Sequence, residues 1–150
     1  MDVQYLVDTN ILLRWTVVAD PLYSIVRDCM DRLDAGDIGV CITPQNIVEF
    51  WNVATRPVVN NGLGMSHAET DSAIRRIEGT FVMLPDTPTI YSVWRRLVLE
   101  CHVSGRQVHD ARLASVALAY GIQHLVTLNE VDFRRYPGIR AIHPADAQVS

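Results

Sequence analysis

Asp8 follows the apolar run Tyr5-Leu6-Val7 and precedes Thr9-Asn10 and a second apolar stretch, Ile11-Leu12-Leu13. That order sets a carboxylate at the C-terminal lip of a core strand, where a helix begins. In open α/β sheets this lip is where ligands bind, because loops diverge there and helix N-termini point into the opening. Three later segments also place acids beside apolar elements: Ile47-Val48-Glu49-Phe50, His109-Asp110-Ala111-Arg112-Leu113-Ala114 and Thr127-Leu128-Asn129-Glu130-Val131-Asp132-Phe133. If they converge with Asp8, the chain carries an acid cluster suited to a hard divalent cation, which prefers oxygen ligands and keeps several waters. Paired ions roughly 3.5–4 Å apart in such a cluster would stabilise the attacking and leaving oxygens of a phosphodiester.

Each acid also has a plain structural explanation. Asp8, or Thr9 and Asn10 beside it, can simply cap the first helix, as short polar side chains do before an apolar-periodic run. Glu49 shares helical spacing with Gln45, Asn52 and Arg56, a stripe that can be no more than a solvated face. Asp110 precedes a nearly all-apolar stretch, Ala111 to Leu118, and can cap that helix and favour its positive end. Asp132 can be an exposed acid in a short turn after an Asn129 cap. Position alone leaves these alternatives open.

The elements that must position these residues alternate along the chain. Val3 to Val7 reads as a strand, followed by a helix from about Asn10. Pro21 interrupts, and a second helix runs from Leu22 to Ala35, ending at Gly36. Ile38 to Ile42 is a strand, and Thr43-Pro44 supplies an N-cap and a first-turn proline for a helix through about Ala54. Arg56 to Gly64 is a loop that is long and glycine-bearing enough to move; it either borders substrate or merely connects two helices. Ser66-His67-Ala68-Glu69 has the form of a capping box and opens another helix. Phe81 to Leu84 is a third strand, Thr87-Pro88 opens a helix to about His102, and Asp110 to Tyr120 is a helix stopped by Gly121. His124 to Thr127 is a fourth strand and Ile139 to Ile142 a fifth. Strands separated by helical crossovers predict an α/β fold with a mostly parallel sheet of four to five strands covered on both faces.

Read in order, Leu6-Val7-Asp8-Thr9-Asn10, His109-Asp110-Ala111-Arg112-Leu113-Ala114, Leu125-Val126-Thr127-Leu128-Asn129 and Asp132-Phe133 resemble the PIN domain family, and within it the compact VapC-like ribonuclease toxins. The resemblance spans nearly the whole chain. It implies a three-layer PIN-like fold and a magnesium- or manganese-dependent endoribonuclease leaving 5′-phosphate and 3′-hydroxyl ends. Its metal ligands and catalytic groups would fall on Asp8, Glu49, Asp110 and Asp132, with Asn129 as the alternative fourth ligand and Thr9, Asn10 and Thr127 orienting them. It further implies a small antitoxin partner and a homodimer.

Composition predicts one domain over residues 1–150, with no linker or internal repeat. No apolar run approaches a membrane span, and the start shows neither a basic leader nor a small-residue cleavage site, so a cytoplasmic location is expected. The three cysteines, Cys29, Cys41 and Cys101, and the five histidines lack disulfide or zinc-ligand spacing. The formal net charge of −4 is not that of a typical nucleic-acid binder, although the proposed cluster itself supplies about as much and divalent ions would cancel it. All 13 basic residues are arginine, which suits phosphate contact and equally reflects GC-rich coding. Arg56, Arg112, Arg134 and Arg135 lie close in sequence to the acids and are candidate RNA contacts; Trp15, Trp51 and Tyr136 are candidate stacking partners or core. Other acid-bearing α/β folds fit poorly: a receiver domain relies on a lysine absent here, and a haloacid-dehalogenase-like phosphatase wants an acid where Asn10 stands. The rival of a different class is an idle PIN-like scaffold that acts only through protein binding. An RNA-processing nuclease that is not a toxin is the other alternative.

Overall fold

The computed structural model describes residues 3–147. Five strands, β1 (Gln4–Val7), β2 (Gly39–Ile42), β3 (Val82–Met83), β4 (His124–Val126) and β5 (Arg140–Ile142), form one sheet in the order β3-β2-β1-β4-β5. Every pairing is parallel, with Leu6 opposite Cys41 on one side and opposite Leu125 on the other. A parallel ladder needs crossovers, which the helices α1 (Thr9–Thr16), α2 (Tyr23–Ala35), α3 (Pro44–Thr55), α4 (His67–Thr80), α5 (Pro88–Glu100) and α6 (Gln107–Ala119) supply.

Alternation along the strands divides the core. Tyr5, Val7, Ile42 and Val126 pack with Ile11, Val26, Phe50 and Ile77 of α1 to α4, while Leu6, Cys41 and Leu125 pack with Ile90, Leu97 and Ala114 of α5 and α6. The sheet is thus buried on both faces, which is why its strands read as continuous apolar runs. Trp15 and Tyr136 belong to this core, and Trp51 is half-buried against it.

Local chemistry sets the helix starts. Asp8 caps α1 by accepting from the Thr9 N–H, and Thr43 caps α3 with Pro44 in its first turn. Ser66 and Glu69 close the expected capping box on α4. Two expectations shift. Helix α6 begins at Gln107 rather than Asp110, because Gly105 turns the chain at φ +61° and the N–H groups of Val108 and His109 already bond back to Gly105 and Arg106. Asp110 therefore sits inside the first turn and is not the cap. The loop from Arg56 to Gly64 is a braced turn containing a 3₁₀ segment, Val58–Asn60, and not a free flap. Its glycines serve close packing: a Cβ on Gly62 would lie 1.9 Å from the Arg56 carbonyl oxygen. Backbone bonds from Leu63 to Val53 and from Met65 to Ala54 tie it to the end of α3. Among the described residues no helix is long and apolar enough to cross a membrane.

Candidate active site

Helices α1 and α3 begin directly after β1 and β2, so Asp8 and Glu49 rise from the C-terminal edge of the sheet. Helix α6 leads into β4 and runs against it, which returns its first turn, with Asp110, to the same edge. The 3₁₀ turn Glu130–Phe133 after β4 adds Asp132. Four elements thus deliver the four acids singled out in the sequence to one end of the molecule.

Hydrogen bonds fix the arrangement. Asp8 is 9 % exposed; one of its oxygens accepts from the Thr9 N–H at 2.8 Å and the other from the Thr127 hydroxyl at 2.9 Å. Thr127 in turn accepts from the Asn129 N–H at 3.0 Å. The Thr9 hydroxyl donates to Glu49 Oε2 at 3.1 Å, which links Asp8 and Glu49 through one residue. Asn10 accepts from the Leu128 N–H at 3.5 Å and so ties the start of α1 to the strand after which Asp132 lies.

The acids feel one another. Burial, followed by the charges of Glu49 and Asp132, raises the Asp8 carboxyl to about 6 against the pull of its two hydrogen bonds. Burial and then Asp8, Asp132 and Glu49 push Asp110 up to about 7. None of the four acids is in a salt bridge among the described residues; Arg112, two residues from Asp110, pairs with Asp86. A set of uncompensated carboxylates with hydroxyl supports is the donor chemistry of a hard cation. Among the described residues no three His, Cys, Asp or Glu side chains are gathered tightly enough to hold an ion unaided. The two findings agree if waters complete the coordination shell, as magnesium ordinarily requires. The acids fit a hydrated divalent ion and do not fit a dehydrated cage.

The four candidate arginines separate. Arg135 donates to the carbonyls of Cys101 and His102 and to Gln107, and so caps the end of α5. Arg56 donates to the Asn61 carbonyl inside its own loop. Arg134 is exposed, and Arg112 borders the acids. The Asn129 side chain is exposed, whereas its backbone supports Thr127.

Two residues of the site carry no role in the sequence reading. Asn46 is fully buried; its amide donates to the Val7 carbonyl and to the Thr9 hydroxyl while its oxygen accepts from Thr43, so it staples β1 to α3. Gln45 donates to Glu49 Oε1 at 2.6 Å. A capping box usually carries Glu or Gln at the third position, so Asn46 is a weak signal. Gln45 precedes Glu49 by one helical turn, a spacing that does allow such a bond. A concavity of about 410 Å³ lined by Tyr5, His124, Glu130, Arg140, His143 and Asp146 contains none of the four acids, so chemistry and not concavity picks out the site.

Comparison with solved structures gives the same architecture. VapBC2 from Rickettsia felis, bound to a DNA fragment from its promoter, superposes with TM-score 0.72 at 17 % identity over 93 % of this chain and 98 % of that chain. DNA-bound VapBC from Salmonella typhimurium gives TM-score 0.73 at 16 % identity over 95 % and 98 %. The sarcin-ricin-loop-cleaving toxin VapC20 of Mycobacterium tuberculosis gives TM-score 0.58 at 19 % identity over 81 % and 86 %. A search among curated proteins found no significant match. The PIN domain family model matches residues 5–139, from the first strand to the entry of the last, and the chain belongs to that family.

Proposed function

We propose that this chain is a magnesium- or manganese-dependent endoribonuclease, with Asp8, Glu49, Asp110 and Asp132 as its metal ligands and catalytic groups, and that it is the toxin of a type II toxin-antitoxin pair. The observation that carries the nuclease reading is the convergence of four carboxylates from four elements with no cation paired to them among the described residues. Divalent ions at this set would neutralise it, polarise the scissile phosphate and make water a better nucleophile. The protein supplies the rest. Thr127 and the Thr9 N–H hold both oxygens of Asp8, and Thr9 and Gln45 hold both oxygens of Glu49, so these carboxylates are oriented before substrate arrives. Asp110, which burial and the neighbouring carboxylates push up to about 7 without metal, is the acid whose ionised form a bound cation would favour most, as suits a ligand. Of the four candidate arginines, Arg112 at the rim of the acids and the exposed Arg134 are the two placed to meet RNA phosphate. An antitoxin partner is supported by the solved relatives, several of which are toxin-antitoxin complexes, and a homodimer is part of the same proposal.

Purified protein should cleave single-stranded or structured RNA with magnesium or manganese, and chelator should abolish cleavage. Asp110→Asn should lower the rate at least about 100-fold, since it removes a charged ligand of the cation. Equal cleavage by both proteins would mean a contaminating nuclease and would end the assignment in favour of an idle scaffold. Growth arrest on expression, relieved by the product of a neighbouring short reading frame, tests the toxin reading against that of a processing nuclease.

A further inference from the structure

Arg112 lies two residues beyond Asp110 on α6 and a single amide group away from Glu49. A long, flexible guanidinium beside four carboxylates that no cation pairs among the described residues should fall onto them and neutralise the site. It does not. Its Nη1 donates to Gln45 Oε1 at 3.1 Å, and its Nη2 stands 3.3 Å from Asp86 Oδ1. Gln45 meanwhile turns its Nε2 toward Glu49 Oε1 at 2.6 Å and toward the His109 carbonyl at 2.8 Å, spanning from α3 to α6. Only an amide can do this with no charge of its own: it offers an acceptor to the guanidinium and donors to the carboxylate and carbonyl. Reversing the amide would set donor against donor, so the orientation is fixed by its neighbours.

We propose that Gln45 is a positioning residue that insulates Arg112 from the acid cluster. It keeps the acids free for a divalent cation and keeps the guanidinium at the rim, where its remaining N–H donors can take a phosphate of RNA. This rests on the reading of the acids as cation ligands. When Gln45 is shortened, only the partly exposed pair with Asp86, a weak restraint, holds Arg112 away from Glu49. The guanidinium then closes on the carboxylates and competes with the cation.

The test uses the full chain without RNA, following melting temperature as MgCl₂ or MnCl₂ is titrated into wild type, Gln45→Ala, Arg112→Ala and the double variant. Gln45→Ala should need about tenfold more cation for its half-maximal shift, while the double variant should return to within about threefold of wild type, because the competitor is gone. In metal-free buffer Gln45→Ala should melt cooperatively and no lower than wild type, since a new ion pair replaces the lost bonds. A double variant as weak as Gln45→Ala would show that Gln45 acts only by shaping Glu49, and a Gln45→Ala response equal to wild type would show no role at all; either result overturns the proposal. A wild type that gains no stability from either ion would overturn the cation reading itself and this inference with it.

Discussion

At the scale of single residues, the fourth acidic position is where sequence and structure together sharpen a choice. Asp132 and Asn129 lie three apart, and spacing alone admits either as the last ligand. In the structure Asp132 contributes charge to both Asp8 and Asp110, whereas Asn129 acts through its backbone and leaves its side chain exposed. Losing a full charge should cost a hard cation more than losing an exposed amide. We therefore expect Asp132→Asn to raise the magnesium needed for half-maximal cleavage about tenfold, and Asn129→Ala to change it by less than about threefold. Titration of activity against magnesium decides it, and a larger effect of Asn129→Ala would exchange the two roles. The four acids were legible because each stands beside an apolar run. Asn46 and Gln45 were not: their importance lies in bonds to β1 and α6, partners that are near in space and far in sequence.

At the scale of elements, the alternation of strands and helices was legible because parallel strands buried on both faces and helices with capped starts leave strong local patterns. Boundaries moved where a tertiary contact outweighed the local signal. Helix α6 gained a turn at its start, where Trp94 donates from its indole N–H to the Val108 carbonyl at 3.0 Å and holds that turn against α5. The Arg56–Gly64 loop looks free enough to move in the sequence because glycine signals freedom, with a plain helix connection as the alternative; Gly62 is there for a backbone approach that any side chain would block. The junction of β1, α1 and α3 is the element-level feature that matters most to the site, and Asn46 holds it. Asn46→Ala removes the side chain that completes the α3 capping box and strands the buried Thr9 and Thr43 groups, so we expect a loss of about 2–4 kcal/mol by chemical denaturation. Asn46→Asp keeps the bond from the Thr43 N–H but loses both donors and adds a fifth acid. It should also lower metal-free stability, with a partial recovery on adding magnesium that Asn46→Ala does not show. A cost under about 0.5 kcal/mol for Asn46→Ala would mean that packing alone seats α3.

At the scale of the whole molecule, the acid cluster is a store of electrostatic strain that pH and metal should both release. Asp8 and Asp110 bind protons more tightly folded than unfolded, with carboxyls raised from 3.8 to about 6 and about 7. A raised folded value contributes stability that is full below the unfolded value and is lost as pH rises through the folded one. Metal-free protein should therefore lose stability from about pH 4 to pH 7.5; for Asp8, a shift of roughly two units corresponds to about 3 kcal/mol over that whole range, of which roughly half falls above pH 5. Other groups act differently in that range. His124, lowered by burial and Arg140, favours the folded state as pH rises, while Asp20, lowered through its bonds to Leu22 and Arg14, changes only at more acid pH. Asp8→Asn isolates the cluster, because it leaves both of those groups in place and keeps an N-cap of equal quality. Melting in metal-free buffer at pH 5 and pH 7.5 should show wild type falling by roughly 5 °C more than Asp8→Asn across the interval. At pH 7.5 the variant should melt at or above wild type. Magnesium at roughly ten times its dissociation constant should return about 1.4 kcal/mol to wild type, and little to the variant. If Asp8→Asn is instead much the less stable protein without metal at pH 7.5, Asp8 is chiefly the cap of α1, and the strain lies with Asp110.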